Sequence, residues 1–434
     1  MPNYIVISKV QVQQIPTDKY PNRTLLLEFS FMHRYEAHST WEDLTQTLSL
    51  TLPKNVKVKG YVTTAPFEMI PQSPPVYVQL GNVSGQNSNL GGFTPDTPPT
   101  FLRGDRIRMN VGYRAIVNGG QATYRTGENG IPNLFEGFIS LVGPKFPFTL
   151  ECEDNMWLCK QVPTPAKNWG NVTLQKIVGD VLAAAKSLPN FSKYGLNLTV
   201  SDFSATDLQF NVNNFTTTRG SLAMLLARIK SQYRIDSYFR GNELRVGYLH
   251  YVPDDNKVHK FTFQKNILDN DNLKWQRRDD AVLSMIVRSN YLVDKSGVTV
   301  DGVTKTTHAS TEILIYNNAG TFTYIKKEKG KDFPTRYLND IGERFTMNIF
   351  AAIADAKRLF EIGKPQLQKY YYDGFKGSFT TMGIPYVKHG DTVELVNKRL
   401  PEQSGLYKVK AVRYYGGYDD GLKQEIFLDY KITE

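Results

Sequence analysis

Two stretches of this chain spell the same pattern, and an internal duplication narrows the possible folds more than any bulk property does. The first copy runs Gly104-Asp105-Arg106-Ile107-Arg108-Met109, then Phe135-Glu136-Gly137-Phe138-Ile139-Ser140-Leu141-Val142, then Phe148-Thr149-Leu150-Glu151-Cys152-Glu153-Asp154. The second runs Gly390-Asp391-Thr392-Val393-Glu394-Leu395, then Ser404-Gly405-Leu406-Tyr407-Lys408-Val409-Lys410-Ala411-Val412, then Gln424-Glu425-Ile426-Phe427-Leu428-Asp429. In each, a Gly-Asp turn feeds an alternating strand, a strand led by glycine follows, and a third alternating strand ends on an acid. Glycine adopts positive φ at no steric cost and aspartate bonds its carboxylate to nearby amides, so the dipeptide suits a tight corner. The copies differ in the loop between the first two strands, longer from Gly104 to Gly137 than from Gly390 to Gly405, and loops are where insertions are absorbed. Similar strands with unlike loops predict two homologous β-barrels.

A chain of 434 residues exceeds the roughly 250 to 300 residues that one core serves, so two or three domains are expected. Its 25 Tyr and 24 Phe favour pleated, half-buried surfaces. Alternation marks strands at 5–12, 25–31, 106–113, 135–142 and 146–152. Residues 63–100 gather many of the 22 prolines with the Gly- and Asn-rich GNVSGQNSNLGGF, which predicts a long surface excursion from the first barrel. Past Pro163 and Pro165 the period changes. Val172, Leu174, Ile177, Val178, Val181, Leu182 and Ala185 recur at helical spacing, with Asn171 or Thr173 to cap and Leu188-Pro189 to stop. Leu222, Leu225, Leu226, Ile229 and Tyr233 form a second apolar helix face. Gly241-Asn242, between strands at 234–239 and 244–249, is a hairpin turn. Strands return from Phe263, clearest at 281–291 and 312–325. Ile349, Ile353, Ala356 and Phe360 predict one helix at about 346–362, stopped by Gly363-Lys364-Pro365. The fold class expected is mainly β with an α/β insertion (α+β): a first β-barrel over 1–162, an α/β module over 163–262 and a second β-barrel over 263–434.

No apolar run reaches the eighteen or so residues needed to cross a bilayer, and the N-terminal MPNYIVISKVQVQQIP lacks a basic flank and a cleavage site, so a soluble chain without a secretion signal is expected. Cys152 and Cys159 are too few for a disulfide framework, and the six histidines are scattered. Buried, reduced thiols and no metal site are the reading. The net charge of +10 divides into +1 over 1–162, +5 over 163–262 and +4 over 263–434. Only Lys326, Lys327, Lys329 and Lys331 form a tight run, next to Gly330. A diffuse charge argues against specific nucleic-acid binding.

The duplicated segments and their setting resemble the baseplate hub proteins of contractile phage tails, the late control protein D family, and the hub portion of type VI secretion spikes. FLRGDRIRMNVGY (101–113), LFEGFISLVGPKFPFTLECEDNMWLCK (134–160), YYYDGFKGSFTTMGIPYVKHGDTVELVN (370–397) and SGLYKVKAVRYYGG (404–417) carry the resemblance. It implies tail-tube-like barrels and a homotrimer whose two barrels per subunit form a pseudo-sixfold ring joining a hexameric tail tube to a trimeric spike. It further implies a virion baseplate component assembled in the bacterial host cytoplasm, with a separate spike protein and other baseplate proteins as partners. DNA passes through such a ring without tight contact. The Lys326 to Lys331 run is then the candidate interface loop, between subunits or toward the tube.

Catalytic signatures are missing: there is no Gly-x-Ser-x-Gly elbow, no Gly-rich phosphate loop ending in Lys-Ser or Lys-Thr, and no His-Glu-x-x-His. Neither catalytic residues nor a cofactor are assigned. Glu151 and Glu153 share one strand face as a glycosidase pair would, but neighbours two apart more often line a solvated edge. His33 and His38 lack a third ligand, and Trp157 and Trp169 read as core or junction packing. Two rival classes are a carbohydrate- or surface-binding β-sandwich, which predicts a monomer with exposed aromatics, and a cell-wall hydrolase, which predicts convergent carboxylates of raised pKa in a cleft. Neither requires a duplicated meander.

Overall fold

Alternating apolar residues along the first and last parts of the chain put one face of each strand into a core, and most of these strands join one large sheet. This computed structural model describes residues 3–53, 57–63, 67, 75–79, 99–117, 121–124, 131–143, 147–170, 172–186, 199–202, 211–212, 215–233, 235–241, 243–247, 258–278, 283–300, 303–318, 320–334, 343–349, 353–418 and 420–432. In chain order its elements are β1 (Asn3–Gln13), β2 (Leu25–Phe29), β3 (Arg34–Thr40), β4 (Thr47–Leu52), β5 (Lys57–Val62), β6 (Val76–Gln79), β7 (Arg106–Val117), β8 (Gln121–Tyr124), β9 (Asn133–Val142) and β10 (Phe148–Glu153). Next come α1 (Met156–Gln161), β11 (Pro163–Thr164), β12 (Lys167–Asn168), β13 (Val172–Thr173), α2 (Leu174–Lys186), β14 (Thr199–Asp202), β15 (Asn211–Val212), β16 (Thr216–Thr217), β17 (Gly220–Ser221), α3 (Leu222–Tyr233), β18 (Asp236–Arg240) and β19 (Glu243–Gly247). The last part holds β20 (Val258–Thr262), β21 (Ile267–Asp269), β22 (Lys274–Gln276), β23 (Leu283–Val300), β24 (Val303–Asn318), β25 (Thr321–Lys326), β26 (Glu343–Ile349), α4 (Ala356–Gln368), β27 (Gly374–Lys376), β28 (Ser378–Met382), β29 (Thr392–Val396), β30 (Gly405–Gly417) and β31 (Gly421–Ile432). The chain is mainly β, as its composition and alternation imply.

The main sheet follows the order β21-β28-β31-β30-β3-β4-β10-β9-β7-β1-β2-β5-β6. Both copies of the sequence pattern are antiparallel meanders within it, β7-β9-β10 and β29-β30-β31. Their correspondence reaches individual hydrogen bonds. Gly104 (φ +94°) and Gly390 (φ +83°) occupy the left-handed region that only glycine adopts freely. Gly104 N–H donates to Ile139 O at 2.8 Å and Ile139 N–H to Asp105 O at 2.9 Å; Gly390 N–H donates to Val409 O at 2.7 Å and Val409 N–H to Asp391 O at 3.0 Å. Each aspartate carboxylate accepts the amide three residues upstream, Leu102 N–H or Lys388 N–H, at 2.8 Å in both cases. A β-bulge follows at the same place, between Glu151 and Cys152 opposite Ile139 and Leu141 in the first meander and between Val409 and Ala411 in the second.

Strand pairing extends the repeat beyond what the sequence discloses. In the first copy β10 pairs with β4 and β4 with β3; in the second β31 pairs with β28, β28 with β21, and β22 with β27. Register matches Ser49, opposite Glu151, to Ser378, opposite Phe427. The two short strands β21 and β22 together occupy the place of β3. Five strand positions therefore recur in the same chain order, and in the second copy β23 to β26 and α4 are inserted between the first two of them. The copies meet where β3 pairs antiparallel with the distal half of β30, from Thr40 opposite Ala411 to Arg34 opposite Gly417.

Several expectations need correction. The glycines of the middle strands are not equivalent: Gly137 lies opposite Ile107, whereas Gly405 lies opposite Leu395. Each is glycine for its own reason, because a Cβ on Gly137 would sit 2.1 Å from Glu153 O and one on Gly405 would sit 2.5 Å from Lys431 Cε. The helix expected at 346–362 is displaced. Residues through Ile349 belong to β26, and α4 starts after Asp355, whose carboxylate caps Lys357 N–H at 3.0 Å. Gly363 and Pro365 lie inside α4; Gly363 allows close packing, since its Cβ would come within 2.6 Å of Ile315 Cδ1 and 2.7 Å of Val287 Cγ2. The single strand read at 312–325 is two, β24 and β25, divided at Gly320 (φ +89°). By contrast, α2, α3 and the β18–β19 hairpin around Gly241 (φ +61°) fall where periodicity placed them. Asn171 and Leu188-Pro189 lie outside the described residues; Thr173 Oγ1 accepts Lys176 N–H at 3.2 Å. Most of the 63–100 excursion also lies outside them, apart from β6 paired to β5 and Phe67 stacked on the guanidinium groups of Arg106 and Arg108.

Two hydrophobic cores result. One is shared by both copies, joining Val10, Leu48, Leu50, Ile107, Ile139 and Leu150 with Phe379, Val393, Val409 and Ile426. The other packs Trp157 of α1, with Ile177, Val181, Leu226 and Ile229 of the helical module, against Val287, Ile313 and Ile315 of β23 and β24 and Leu359 of α4.

Two substitutions separate crowded from permissive glycines. Gly137→Ala is expected to lower unfolding free energy by about 3 kcal/mol, because backbone must move. Gly179→Ala, on an open turn of α2 with nothing within 4 Å of the new Cβ, is expected to raise it by up to ~1 kcal/mol. Urea denaturation checks both. At the first corner, Asp105 is held by the Arg23 fork at 2.6 and 2.9 Å with both side chains 1% exposed. Arg23→Met strands that carboxylate and is expected to cost about 3–5 kcal/mol in the same assay.

Candidate functional site

The second corner has no equivalent of Arg23 nearby in sequence. Its cation comes from the helical module: Arg240 Nη2, at the end of β18, lies 3.2 Å from Asp391 Oδ1, and His259 Nε2 lies 3.0 Å from Oδ2. Burial pushes the Asp391 carboxyl up, but the bonds from His259 and Lys388 N–H and the Arg240 charge outweigh it, leaving its pKa below the ordinary value. At Asp105 burial dominates and the pKa lies above the ordinary value, against the pull of Arg23. Lys408, matched by register to Phe138 of the first copy, is buried beside Arg240; desolvation and that charge pull its pKa down to about 8.

The tip of the β18–β19 hairpin is gripped from the other side by the first copy. Gln46 Nε2 donates to Phe239 O at 2.9 Å, and Asn155 Nδ2 donates to Gly241 O at 2.8 Å. Three segments thus meet over residues 239–241. Ser39 Oγ and His389 Nδ1, 2.6 Å apart and buried, share a hydrogen bond there, with Tyr238 edge-on to the imidazole. Burial and then Arg240 hold the His389 pKa well below the ordinary value. A hydroxyl beside a neutral imidazole is two parts of a nucleophile triad, but among the described residues the third is absent: Asp391 takes its bonds from His259, Arg240 and Lys388, and His389 Nε2 has no hydrogen-bond partner there.

A cleft of about 500 Å3 opens at the same junction, lined by Trp41 and Glu42, Lys230 and Asp236, Phe345 and Met347, Lys369 and Tyr370, and Asp429. Burial raises the Asp236 and Asp429 pKa values, and Lys230 and Lys369 respectively oppose it. This is the convergence of carboxylates that the hydrolase reading called for, and the sequence did not disclose it because its members come from distant strands. Each carboxylate is answered by an ammonium: Lys230–Asp236 at 2.8 Å, Lys369–Asp429 at 3.5 Å and Lys410–Glu42 at 3.4 Å. The lining is a set of neutralised pairs joining the segments.

The residues singled out from sequence lie elsewhere. Glu151 accepts Ser49 Oγ at 2.9 Å and Glu153 pairs with Lys160 at 2.5 Å, so neither faces a partner carboxylate in a cleft. His33 is exposed just before β3, His38 lies within that strand, and among the described residues no group of three His, Cys, Asp or Glu side chains is placed to hold a metal. Cys152 and Cys159 are buried free thiols. Trp157 stacks on Phe138 at 4.9 Å, and Trp169 donates to Thr217 Oγ1. Of the lysine run, Lys327 pairs with Glu312 and Lys331 with Glu328, while Lys326 and Lys329 are exposed with no ion pair among the described residues. Among the described residues no helix is long and apolar enough to cross a membrane.

No protein-family model matches the chain, and no curated protein matches it. Among solved structures, the tail protein from Neisseria meningitidis MC58 superposes with a TM-score of 0.50 at 12% identity, over 98% of this chain and 96% of that one. The 43 kDa tail protein of prophage MuSo2 from Shewanella oneidensis aligns at 0.49 and 11% identity, over 98% of both chains. Prophage tail protein gp18 from Listeria monocytogenes EGD-e aligns at 0.46 and 8% identity, over 98% and 95%. The first of these likenesses shows a fold shared with that tail protein along nearly the whole length of both chains.

One carboxyl at the junction predicts a pH response. Asp154, wholly buried at the entry to α1, accepts Met156 N–H at 3.0 Å through Oδ1, while Oδ2 has no hydrogen-bond partner among the described residues. Burial raises its pKa from 3.8 to about 7. The native state therefore holds a proton that the unfolded chain releases above about pH 4. The stability contributed by neutral Asp154 is complete below that pH and is lost as pH rises through 7, at up to ~1.4 kcal/mol per pH unit. Asp154→Asn, which keeps the Oδ1 acceptor and cannot ionise, is expected to flatten the stability profile between pH 4 and 8 in parallel urea titrations.

Proposed function

We propose that this chain is a structural baseplate hub subunit of a phage or prophage tail, acting as a trimeric adaptor between a hexameric tail tube and a trimeric spike. Two β-rich units, over 1–162 and 263–434, bracket the module at 163–262. Three chains then supply six similar units, which is what a sixfold partner on one face and a threefold partner on the other require. The observation that carries this reading is the duplicated ladder with its matching Gly-Asp corners, set in a fold shared with a tail protein. The neutralised ion pairs of the central cleft suit a rigid scaffold. The tube protein, a separate spike and other baseplate proteins are the partners in this reading, the virion tail is the location, and DNA passes through without specific contacts. Lys326 and Lys329 are the exposed cations of the candidate interface loop that have no ion pair among the described residues.

Light scattering across a concentration series tests the assembly. A mass three times the 49.3 kDa of the chain is expected. A monomer at every concentration would overturn the self-assembling ring and favour a surface-binding module instead.

A further inference from the structure

The repeated ladder contains one junction that is made within the chain and a second, corresponding one that is left open. Inside the chain, β3 of the first copy pairs with the distal half of β30, the middle strand of the second, with Thr40 opposite Ala411 and Ser39 opposite Val412. By the register that matches the two meanders, Ala411 and Val412 correspond to Leu141 and Val142 of β9. That stretch of β9 pairs with β10 on one side, and β7 covers the other side only as far as Phe138. Among the described residues no strand takes the free edge at 141–143. The strand that occupies the β3 position in the second copy is 267–276, formed by β21 and β22, and β21 ends the strand order of the main sheet.

Side-chain exposure follows the same division. Ala411, at the closed junction, is 4% exposed; its counterpart Leu141 is 59% exposed. Leu268, on the unclaimed β21 strand, is 51% exposed. An open edge presents unpaired N–H and C=O groups to any strand that approaches in register.

We infer that the 267–276 strand of one protomer adds to the free 141–143 edge of the next, so that the contact joining the two copies within a chain is repeated between chains. The occupant of each edge is a second copy of this protein, because the interface continues the sheet by the junction already present inside it. One chain supplies a donor strand and an acceptor edge at different places, so the contact is head-to-tail and closes into a ring when the rotation permits. Gln276 and Trp275, by correspondence with Thr40 and Ser39, fall opposite Leu141 and Val142 of the neighbour. This inference rests on the ring proposed above and specifies how it is joined.

Cysteine pairing tests it in the full-length chain. Leu141→Cys combined with Gln276→Cys, mildly oxidised and run on a non-reducing gel beside each single variant, is expected to give covalent dimers and trimers that neither single variant gives. The native thiols are buried and contribute no background. Light scattering on the same reduced sample separates the outcomes. A trimer in which the double variant yields no inter-chain product, or only an intramolecular one, overturns this junction and leaves the ring standing. A chain that stays monomeric overturns both.

Discussion

The buried carboxylate at the mouth of each meander sets the alignment on which the two ladders depend. Asp105 and Asp391 each bond the amide three residues upstream, and their carbonyls take the N–H of Ile139 and Val409. Each corner therefore fixes which residue of the middle strand lies opposite the first. A slip of one residue would exchange the buried and solvent faces of every strand beyond it. Such an anchor needs a counter-charge, because an unpaired carboxylate in a core is costly. The first copy is served by Arg23, from the connection between β1 and β2, whereas the second draws Arg240 from the helical module. The module is thereby tied to the second ladder through the same interaction that sets that ladder's register.

The corners themselves were legible in the sequence, since Gly-Asp ahead of an alternating strand has a conformational reason and occurred twice. The helical faces of α2 and α3 were legible for the same kind of reason, as Leu174, Ile177, Val178 and Val181, and Leu222, Leu225, Leu226 and Ile229, all point into one core. The misplaced helix shows where periodicity misleads. Ile349 and Ile353 stand at helical spacing from Ala356 and Phe360, yet Ile349 ends a strand buried beside Ser289. Asp355, a side chain that caps, marks the real start, and Gly363 reads as a stop only until the crowding of Ile315 and Val287 is seen.

The junction and its cleft were not legible at all. Trp41, Asp236, Lys369 and Asp429 are far apart in the chain, and nothing in their local sequence signals that they converge. The same holds for β21 and β22. They look like two fragments beside a loop until strand pairing places them where β3 stands in the first copy. Equivalence of this kind resides in the pairing network, because the large insertion of β23 to β26 and α4 erases the matching sequence spacing.

Duplication inside one chain permits what six identical subunits do not. Once two copies are covalently joined, one is free to diverge without disturbing the other. Here the first carries the excursion between β5 and β7, and the second carries the inserted sheet with α4 and receives the helical module at its corner. The shared elements, namely the corners, the bulges and the strand order, are those that hold the main sheet together. The differing elements lie away from those pairings, in the loops and in the second core. In the proposed ring, the conserved geometry of the ladder would meet a partner of sixfold symmetry, and the diverged additions would reduce the assembly to true threefold symmetry for the other. The cleft where the chain's segments meet is lined by carboxylates that each already have their lysine.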